Sequence, residues 1–472
     1  MASPLQSLEV AVVGGGISGL AAAYALQKAG RRVALFEAAT TLGGCIGSIQ
    51  NGPYLADRGP QTFVSAPALL ELIADLGLES RVQYAGGAGA KRYIYRHGRL
   101  LAVPMSAGAF LASPLLSTAA KLRLLAEPFV SAERPGAANG AGDESVASFF
   151  TRRIGAESVD AIAAPVMSGI YAGDSDRLSA RSALPALVRF ERERGSIVRG
   201  YLASRRRAPA AQASKSRSRA AIGFSGGNAT LIEALGARLS GLIYTGARAV
   251  SLHQRGAGFA LEFDGLPERT VEAARVLVAT PAGAAAALLA PLEADAAAAL
   301  REIRYVPIAQ VAVAYERAAV GVPLDGFGFL TCRGEDVRIL GAVWNSAIFP
   351  DRAPGDRVLC TAFVGGALDE KAAQLRDDEL ALMVDADLRR VMRIGRSKPV
   401  IVGGFRWAAA IPQYELGHEQ RLGRISAAVA RMPGLTLAGN YFDGISTADC
   451  IRRAKQAASA LSSGAAALRR DL

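Results

Sequence analysis

Val10-Ala11-Val12-Val13-Gly14-Gly15-Gly16-Ile17-Ser18-Gly19 runs an apolar strand into a glycine-rich turn and on into a helix. The spacing gives each glycine a separate role, with Gly14 making a tight reversal, Gly16 allowing backbone approach to a phosphate, and Gly19 letting the helix pack closely on the strand. The helix start then offers unpaired N–H groups and a positive dipole end to an anion. The pattern predicts a helix over Leu20 to Ala29, stopped by Gly30, and a second parallel strand, Val33-Ala34-Leu35-Phe36, ending at Glu37. A carboxylate at that point is placed to accept hydrogen bonds from ribose hydroxyls, and it disfavours a 2′-phosphate. Leu42-Gly43-Gly44 repeats the need for close approach, as for a second loop over the same pyrophosphate. Strand, turn, helix, strand and acid in this order predict a dinucleotide-binding unit.

The chain of 472 residues exceeds a single hydrophobic core, so two to three domains are expected. Hydrophobic residues make up 51% and charged residues 20%, which describes a globular protein of unusually apolar composition rather than an integral membrane protein. The net charge of +12 is uneven, because Arg194 to Leu231 holds no acid while Arg205, Arg206, Arg207, Lys215, Arg217 and Arg219 fall within it. Ala203 to Arg219 has no apolar period and reads as a solvated mobile loop; no nucleic-acid partner is expected. Cys45, Cys332, Cys360 and Cys450 form no CxxC pair and have only three histidines to join them. Neither a metal site nor a disulfide framework is expected, and a reducing, cytoplasmic setting fits. With the first motif starting at Val10, no signal or transit peptide is expected.

Leu100 to Ala120 is uncharged and long enough to span a bilayer, yet it contains Pro104, Pro114 and Gly108. Followed by Lys121 and Arg123 among leucines, it reads as helical pieces either lying at a membrane interface or packing together in an ordinary core.

The expected organisation is a dinucleotide-binding domain in three parts, 1–90, 206–285 and 406–472, with a mainly helical insert at 91–205 and an α+β substrate-binding domain at 286–405. The second part carries Phe224-Ser225-Gly226-Gly227, a strand pair at Ala247 to His253 and Ala260 to Phe263, and Val276 to Pro281. The third carries Leu435 to Asn440 and a helix from Thr447 to Leu468. The fold class expected is α/β, Rossmann-like and discontinuous. Ala282 to Leu300 reads as a helix pair, and Asp377 to Val391 as a helix beside an antiparallel sheet.

Lys91-Arg92-Tyr93-Ile94-Tyr95-Arg96, Gly169-Ile170-Tyr171-Ala172-Gly173-Asp174, Phe349-Pro350-Asp351-Arg352-Ala353-Pro354, Phe363-Val364-Gly365-Gly366, Ile411-Pro412-Gln413-Tyr414 and Ala438-Gly439-Asn440 complete the pattern. With them the chain resembles, over nearly its whole length, the FAD-dependent protoporphyrinogen oxidases of the amine-oxidase-like flavoprotein group. The resemblance implies FAD as cofactor, a porphyrinogen as substrate and O2 as acceptor, with protoporphyrinogen IX oxidised to protoporphyrin IX in haem biosynthesis. The apolar composition adds an expectation of peripheral contact with the cytoplasmic membrane face, and a homodimer is expected.

By the same resemblance Arg92 binds a propionate, Leu330, Val343 and Phe363 wall the macrocycle, and Gly169 and Ala172 give it room and a backbone carbonyl. Gly14, Gly16, Ser18, Gly19, Glu37, Gly43 and Gly44 would hold the adenosine and pyrophosphate, and Val250 would bracket the adenine. Trp407, Gly439, Asn440, Gly444, Ile445 and Ser446 would meet the flavin end, where the last helix start offers positive charge. His97, His253 and His418 read as surface residues, and no acid or base is assigned. Thr41 and Cys45 depart from the pattern where relatives carry a basic residue beside the Gly-Gly. Arg58 adds a charge to the acid-x-Gly-Pro segment, and Tyr441-Phe442-Asp443 is bulkier than the usual loop. Alternatives are a coproporphyrinogen oxidase, an amine oxidase or carotenoid desaturase on the same scaffold, or a non-enzymatic flavin- or lipid-binding protein. Lys371 and Lys398 lie in no motif, which disfavours the amine oxidase.

Overall fold

Val10, Ala11 and Val12 have no solvent exposure, as a central parallel strand covered on both faces requires of an uninterrupted apolar run. The computed structural model describes residues 8–131, 142–207, 220–239 and 241–463. Leu8–Val13 pairs in parallel with Val33–Glu37 on one side and Thr270–Val278 on the other. Leu242–Thr245 lies beyond Val33–Glu37, while Gly258–Asp264 and Arg248–Arg255 continue the sheet antiparallel past Thr270–Val278. Leu435–Leu437 runs parallel to the last residues of Thr270–Val278, so three stretches distant in sequence share one sheet. The first helix is Ile17–Lys28 and begins directly at Gly16, three residues ahead of the sequence expectation. Its small residues allow this: Gly19, Ala21, Ala22 and Ala23 are all buried between the sheet and the closing helix, Thr447–Ser463.

A second sheet runs in the order Val400–Pro412, Tyr305–Glu316, Arg357–Gly365, Ile339–Val343, Gly328–Thr331, Tyr93–Arg96, Arg99–Ala102. Side chains on the Tyr305–Glu316 strand alternate between two cores, as the two-residue period of a strand dictates. Val311, Val313 and Tyr315 pack against Leu380, Val384 and Leu388 of the helix Asp377–Met392. Ala312 and Ala314 pack instead under Tyr54 and Ala56 of the Gly47–Asn51/Tyr54–Arg58 hairpin. Tyr93–Ala102, read from sequence as part of the helical insert, joins this sheet, and Val400–Pro412 crosses the 405/406 boundary. Strands of four residues leave too short a period to be seen against the helical segments that follow.

The helical insert contains Thr118–Leu125, Val146–Ile154, Ala164–Tyr171, Pro185–Arg194 and Ile197–Arg207. Its pivot is an ion pair between Glu127 and Arg153, both fully buried. Ser196 Oγ donates to Glu127 at 2.5 Å, and the N–H groups of Ile197 and Val198 donate at 2.9 and 3.2 Å. This closes the accounting that a buried carboxylate demands. Ala203 to Arg207 is the end of a helix rather than loop, and 208–219 of the expected basic loop lie outside the described residues. Leu100 to Ala120 breaks into a strand end, the short helix Ala107–Ala112 and the start of Thr118–Leu125. Among the described residues no helix is long and apolar enough to cross a membrane.

Candidate functional site

The first helix starts at Gly16 without a side-chain cap and without an acid in its first turn, so its leading N–H groups and dipole are free for an anion. A Cβ built on Gly16 would meet nothing within 4 Å, whereas one on Gly19 would stand 1.8 Å from Gly14 O. The first glycine thus opens space and the second permits contact. Thr280 Oγ1, beside Gly14, is buried without a partner. Gly43 N donates to Gly15 O at 2.8 Å, laying the Gly43-Gly44 loop against the turn. These groups fit an anionic dinucleotide.

Glu37 is placed differently from the simple expectation of a ribose acceptor. One carboxylate oxygen accepts from Gly15 N at 2.6 Å and the other from Ala39 N at 2.7 Å, so the acid also braces the turn. Ala247 N donates to Glu37 O, which brings the start of Arg248–Arg255 beside it. Val250 follows at a bulge in that strand with its side chain exposed.

Next to the Gly43-Gly44 loop, Asp57 to Gln61 is held from every side. Buried Asp57 accepts from Ser48 Oγ (2.6 Å), Asn228 N (2.7 Å) and Arg352 Nη2 (3.1 Å), and Arg352 is equally buried. Burial pushes the Asp57 carboxyl above its ordinary pKa, against the opposing pull of Arg352 and the Asn228 N–H. Gln61 Nε2 donates to Asp57 O, and Asn345 Nδ2 donates to Gln61 Oε1 at 2.7 Å. Gln310, 3% exposed, closes the ring: its Nε2 donates to Gly59 O at 2.6 Å while its Oε1 accepts from Gly59 N at 3.0 Å.

That same glutamine begins a row across the second sheet. Phe405 and Phe363 flank Gln310; then come Gly341, Leu330, Ile94 and Leu101, each directly opposite the next. Directly opposed residues project on one face, so Phe363 and Leu330 share a face on either side of Gly341, where a Cβ would lie 2.3 Å from Phe329 O. Val343, two residues beyond Gly341, lies on the same face, as do Ile308 and its partner Trp407. Val306, Ile308, Leu340, Phe363, Ala367, Ile411 and Ala172 form one apolar cluster there. Gly169 covers the other end: a Cβ on it would lie 2.4 Å from Leu330 Cδ2. Ala172 caps the Ala164–Tyr171 helix in the left-handed region (φ +47°), and its carbonyl already accepts from Ala367 N at 2.7 Å. One lone pair of that oxygen is therefore committed inside the protein. Arg92, at the edge of this face, is exposed, lies 5.3 Å over the Phe327 ring and has no carboxylate partner among the described residues. Lys91 and Arg333, nearby cations, are paired with Asp325 and with Asp174 and Asp176.

The segment from Gly439 to Ser446 is braced by two tyrosines. Tyr414 Oη donates to Asn440 O at 2.6 Å and accepts from Gly444 N at 3.1 Å; Tyr305 Oη donates to Asn440 Oδ1 at 3.1 Å. His418 is 1% exposed, stacks on Tyr414 at 4.2 Å and contacts Tyr441 O at 3.0 Å, so the surface reading fails for it while His97 and His253 are exposed. Ser446 caps the closing helix and Asp449 occupies its first turn, which offsets the positive charge expected there. Tyr441 and Phe442 turn inward into the core, and Asp443 pairs with Arg453 at 3.4 Å. Their bulk is core filling. Among the described residues no cluster of three metal-ligating side chains occurs.

Sequence reasoning missed Gln310, the Asp57–Arg352 pair and the Tyr414–His418 stack. The first had a signal: Gln310 is the single polar residue in Ile308 to Tyr315 apart from the closing phenol, and a polar side chain in a buried strand must be hydrogen-bonded.

Comparison with known proteins adds a family and a set of relatives. The profile of the family described as flavin containing amine oxidoreductase matches residues 17–462. The chain is similar to coproporphyrinogen III oxidase of Bacillus subtilis, at 31% identity over 95% of this chain and 97% of the relative. It is similar to chloroplastic protoporphyrinogen oxidase of Oryza sativa subsp. japonica, at 33% identity over 97% of this chain and 88% of the relative. A crystal structure of a protein from Exiguobacterium sp. 255-15 superposes with a TM-score of 0.81 at 24% identity, covering 96% of this chain and 98% of that one, which supports the fold.

Proposed function

Since this chain belongs to the flavin containing amine oxidoreductases, we propose that it is an FAD-dependent oxidoreductase that converts protoporphyrinogen IX to protoporphyrin IX in haem biosynthesis. The observation that carries the reading is the shared face of Phe363, Leu330 and Val343 around Gly341, beside the braced dinucleotide cradle. Relatives named as porphyrinogen oxidases match it from end to end.

When bound, FAD would supply the redox chemistry, taking a hydride from the macrocycle in each of three two-electron rounds, with O2 as final acceptor. The chain's own residues position and shield. Gly14, Gly16, Ser18, Gly19, Gly43 and Gly44 would hold the pyrophosphate and Glu37 the ribose, with Val250 at the adenine. Trp407 and the Gly439 to Ser446 segment would border the flavin ring. Phe363, Leu330 and Val343 would grip the apolar macrocycle and exclude water, while Gly169 leaves it room. Arg92 would take a propionate through a charge-assisted hydrogen bond. Arg92 has no carboxylate partner whereas Lys91 and Arg333 do; this favours a substrate with few carboxylates. The second reading, coproporphyrinogen oxidation, is supported by the similarity to the Bacillus subtilis enzyme. Porphyrin fluorescence followed with each porphyrinogen in turn tests both: the expected result is a higher kcat/KM for protoporphyrinogen IX, and no product from either would refute the proposal.

The proposal extends to a cytoplasmic protein, a homodimer, that rests on the membrane through its insert. Support comes from Met105, Leu111, Leu122, Leu125 and Phe129, which are exposed around Lys121 and Arg123. Co-sedimentation with anionic vesicles, lost on Phe129→Ser with Leu122→Ser, and light scattering for the dimer are the checks.

A further inference from the structure

Arg58 ends the hairpin strand Tyr54–Arg58, directly after Asp57. Asp57 is already engaged by Ser48, Asn228 and Arg352, so the neighbouring acid does not account for the arginine. The Arg58 side chain turns the other way. It crosses Gly47, where a Cβ would lie 3.0 Å from Nε, and Nη2 donates to Gly44 O at 3.1 Å. Its Nε–H is buried, and among the described residues it has no acceptor and no carboxylate pairs with the guanidinium. Arg153 and Arg352, the fully buried arginines, both have carboxylate partners. A guanidinium carries a fork of N–H donors suited to an anion, and its Nη end, where it meets Gly44, is exposed.

The location identifies the anion. Gly44 lies against Gly16, with a built Cβ 3.4 Å from Gly16 Cα, and Gly16 pairs with Gly43 in an isolated bridge. Arg58 therefore meets the junction of the two glycine loops, beside the uncapped helix start. Thr41 and Cys45, on the loop itself, carry no charge. We propose that Arg58 is a cofactor-binding residue whose guanidinium donates, from its open Nη end beside Gly44, to an anionic oxygen of the FAD diphosphate. It supplies, from the neighbouring hairpin, the cation that the 41–45 loop lacks. The proposal rests on FAD as the cofactor and is independent of which porphyrinogen is oxidised.

Flavin release tests it without any substrate. Holoenzyme is serially diluted at low and at high NaCl, and free FAD is read by its fluorescence. Arg58→Met should release FAD at roughly tenfold lower dilution than the parent, about the worth of one charged contact. Its release should also depend less on salt, because a screened charge pair has been removed. Arg58→Lys, which keeps the charge and loses the fork, should keep the parent's salt dependence with intermediate affinity. Release by Arg58→Met within twofold of the parent would overturn the proposal. So would weakened binding that retains the parent's salt dependence, since lost packing alone does that. Should Arg58→Met purify without flavin, Arg58→Lys decides: parent-like salt dependence supports the assignment, and a flattened one overturns it. A failure here leaves the porphyrinogen reading intact, because oxidation of either porphyrinogen is measured separately.

Discussion

Two side chains carry the account at the residue scale. Arg92 is a cation without an acid partner at the margin of the apolar face, so Arg92→Ala should raise KM for protoporphyrinogen by roughly 10- to 100-fold, the worth of about 1.5–3 kcal/mol for a lost charged hydrogen bond. Steady-state kinetics should find kcat nearly unchanged; an unchanged KM would remove its role. Gln310 acts through Gly59. Gln310→Leu keeps the volume but leaves both the N–H and the carbonyl of Gly59 without their partners, at a cost of about 1–3 kcal/mol for each group that stays buried. Chemical denaturation should show the loss, and kcat should fall together with it while KM holds. Arg92 was legible in the sequence because a motif surrounds it. Gln310 was not, because its partner Gly59 lies 251 residues away. No local pattern links a polar residue in one strand to a turn in another domain.

At the scale of the element, the helix Ala164–Tyr171 packs Gly169 against Leu330, the contact that the proposed function makes the limit of the substrate slot. Gly169→Val would bring branched carbons into Leu330, whose Cδ2 is only 2.4 Å from a built Cβ. Turnover should be lost while the yellow flavin remains, which absorbance and activity on one sample will show. The insert behind this helix carries a pH dependence of its own. Burial alone would raise the Glu127 carboxyl, but Ser196, Arg153 and the Ile197 and Val198 N–H groups hold it below its ordinary 4.5. A depressed native pKa means that the folded form resists protonation. The stability Glu127 contributes is therefore present above about pH 4.5 and is lost as pH falls through the lower native value. Thermal midpoints against pH should drop steeply at the acid end for the parent and less steeply for Glu127→Gln, which begins lower at pH 7. The helical character of the insert was legible from its periodicity. The clasp was not, since Glu127, Arg153 and Ser196, the last in the turn between Pro185–Arg194 and Ile197–Arg207, are brought together only by the fold.

For the whole molecule, the decisive feature is that one face of the second sheet serves two neighbours. Near Ala312 and Ala314 it packs under the hairpin that carries Asp57 and Arg58, and near Val306 and Ile308 it forms the apolar chamber. Gln310 stands between these regions, so cradle and slot are registered to a single row of backbone hydrogen bonds. The parallel cradle was readable from ten residues, because glycine spacing and apolar strands state their geometry locally. The slot was readable only through motif resemblance, for Leu330, Val343 and Phe363 are indistinguishable in sequence from ordinary core residues. Strand pairing alone turns them toward one another.

The most direct test is anaerobic. Protoporphyrinogen IX added in less than stoichiometric amount to the oxygen-free yellow protein should bleach three flavins for each porphyrin formed, because the conversion removes six electrons and each flavin takes two, and admitted air should restore the colour. Flavin that stays oxidised in the presence of both protoporphyrinogen and coproporphyrinogen, or protein that retains no flavin at all, would contradict the account.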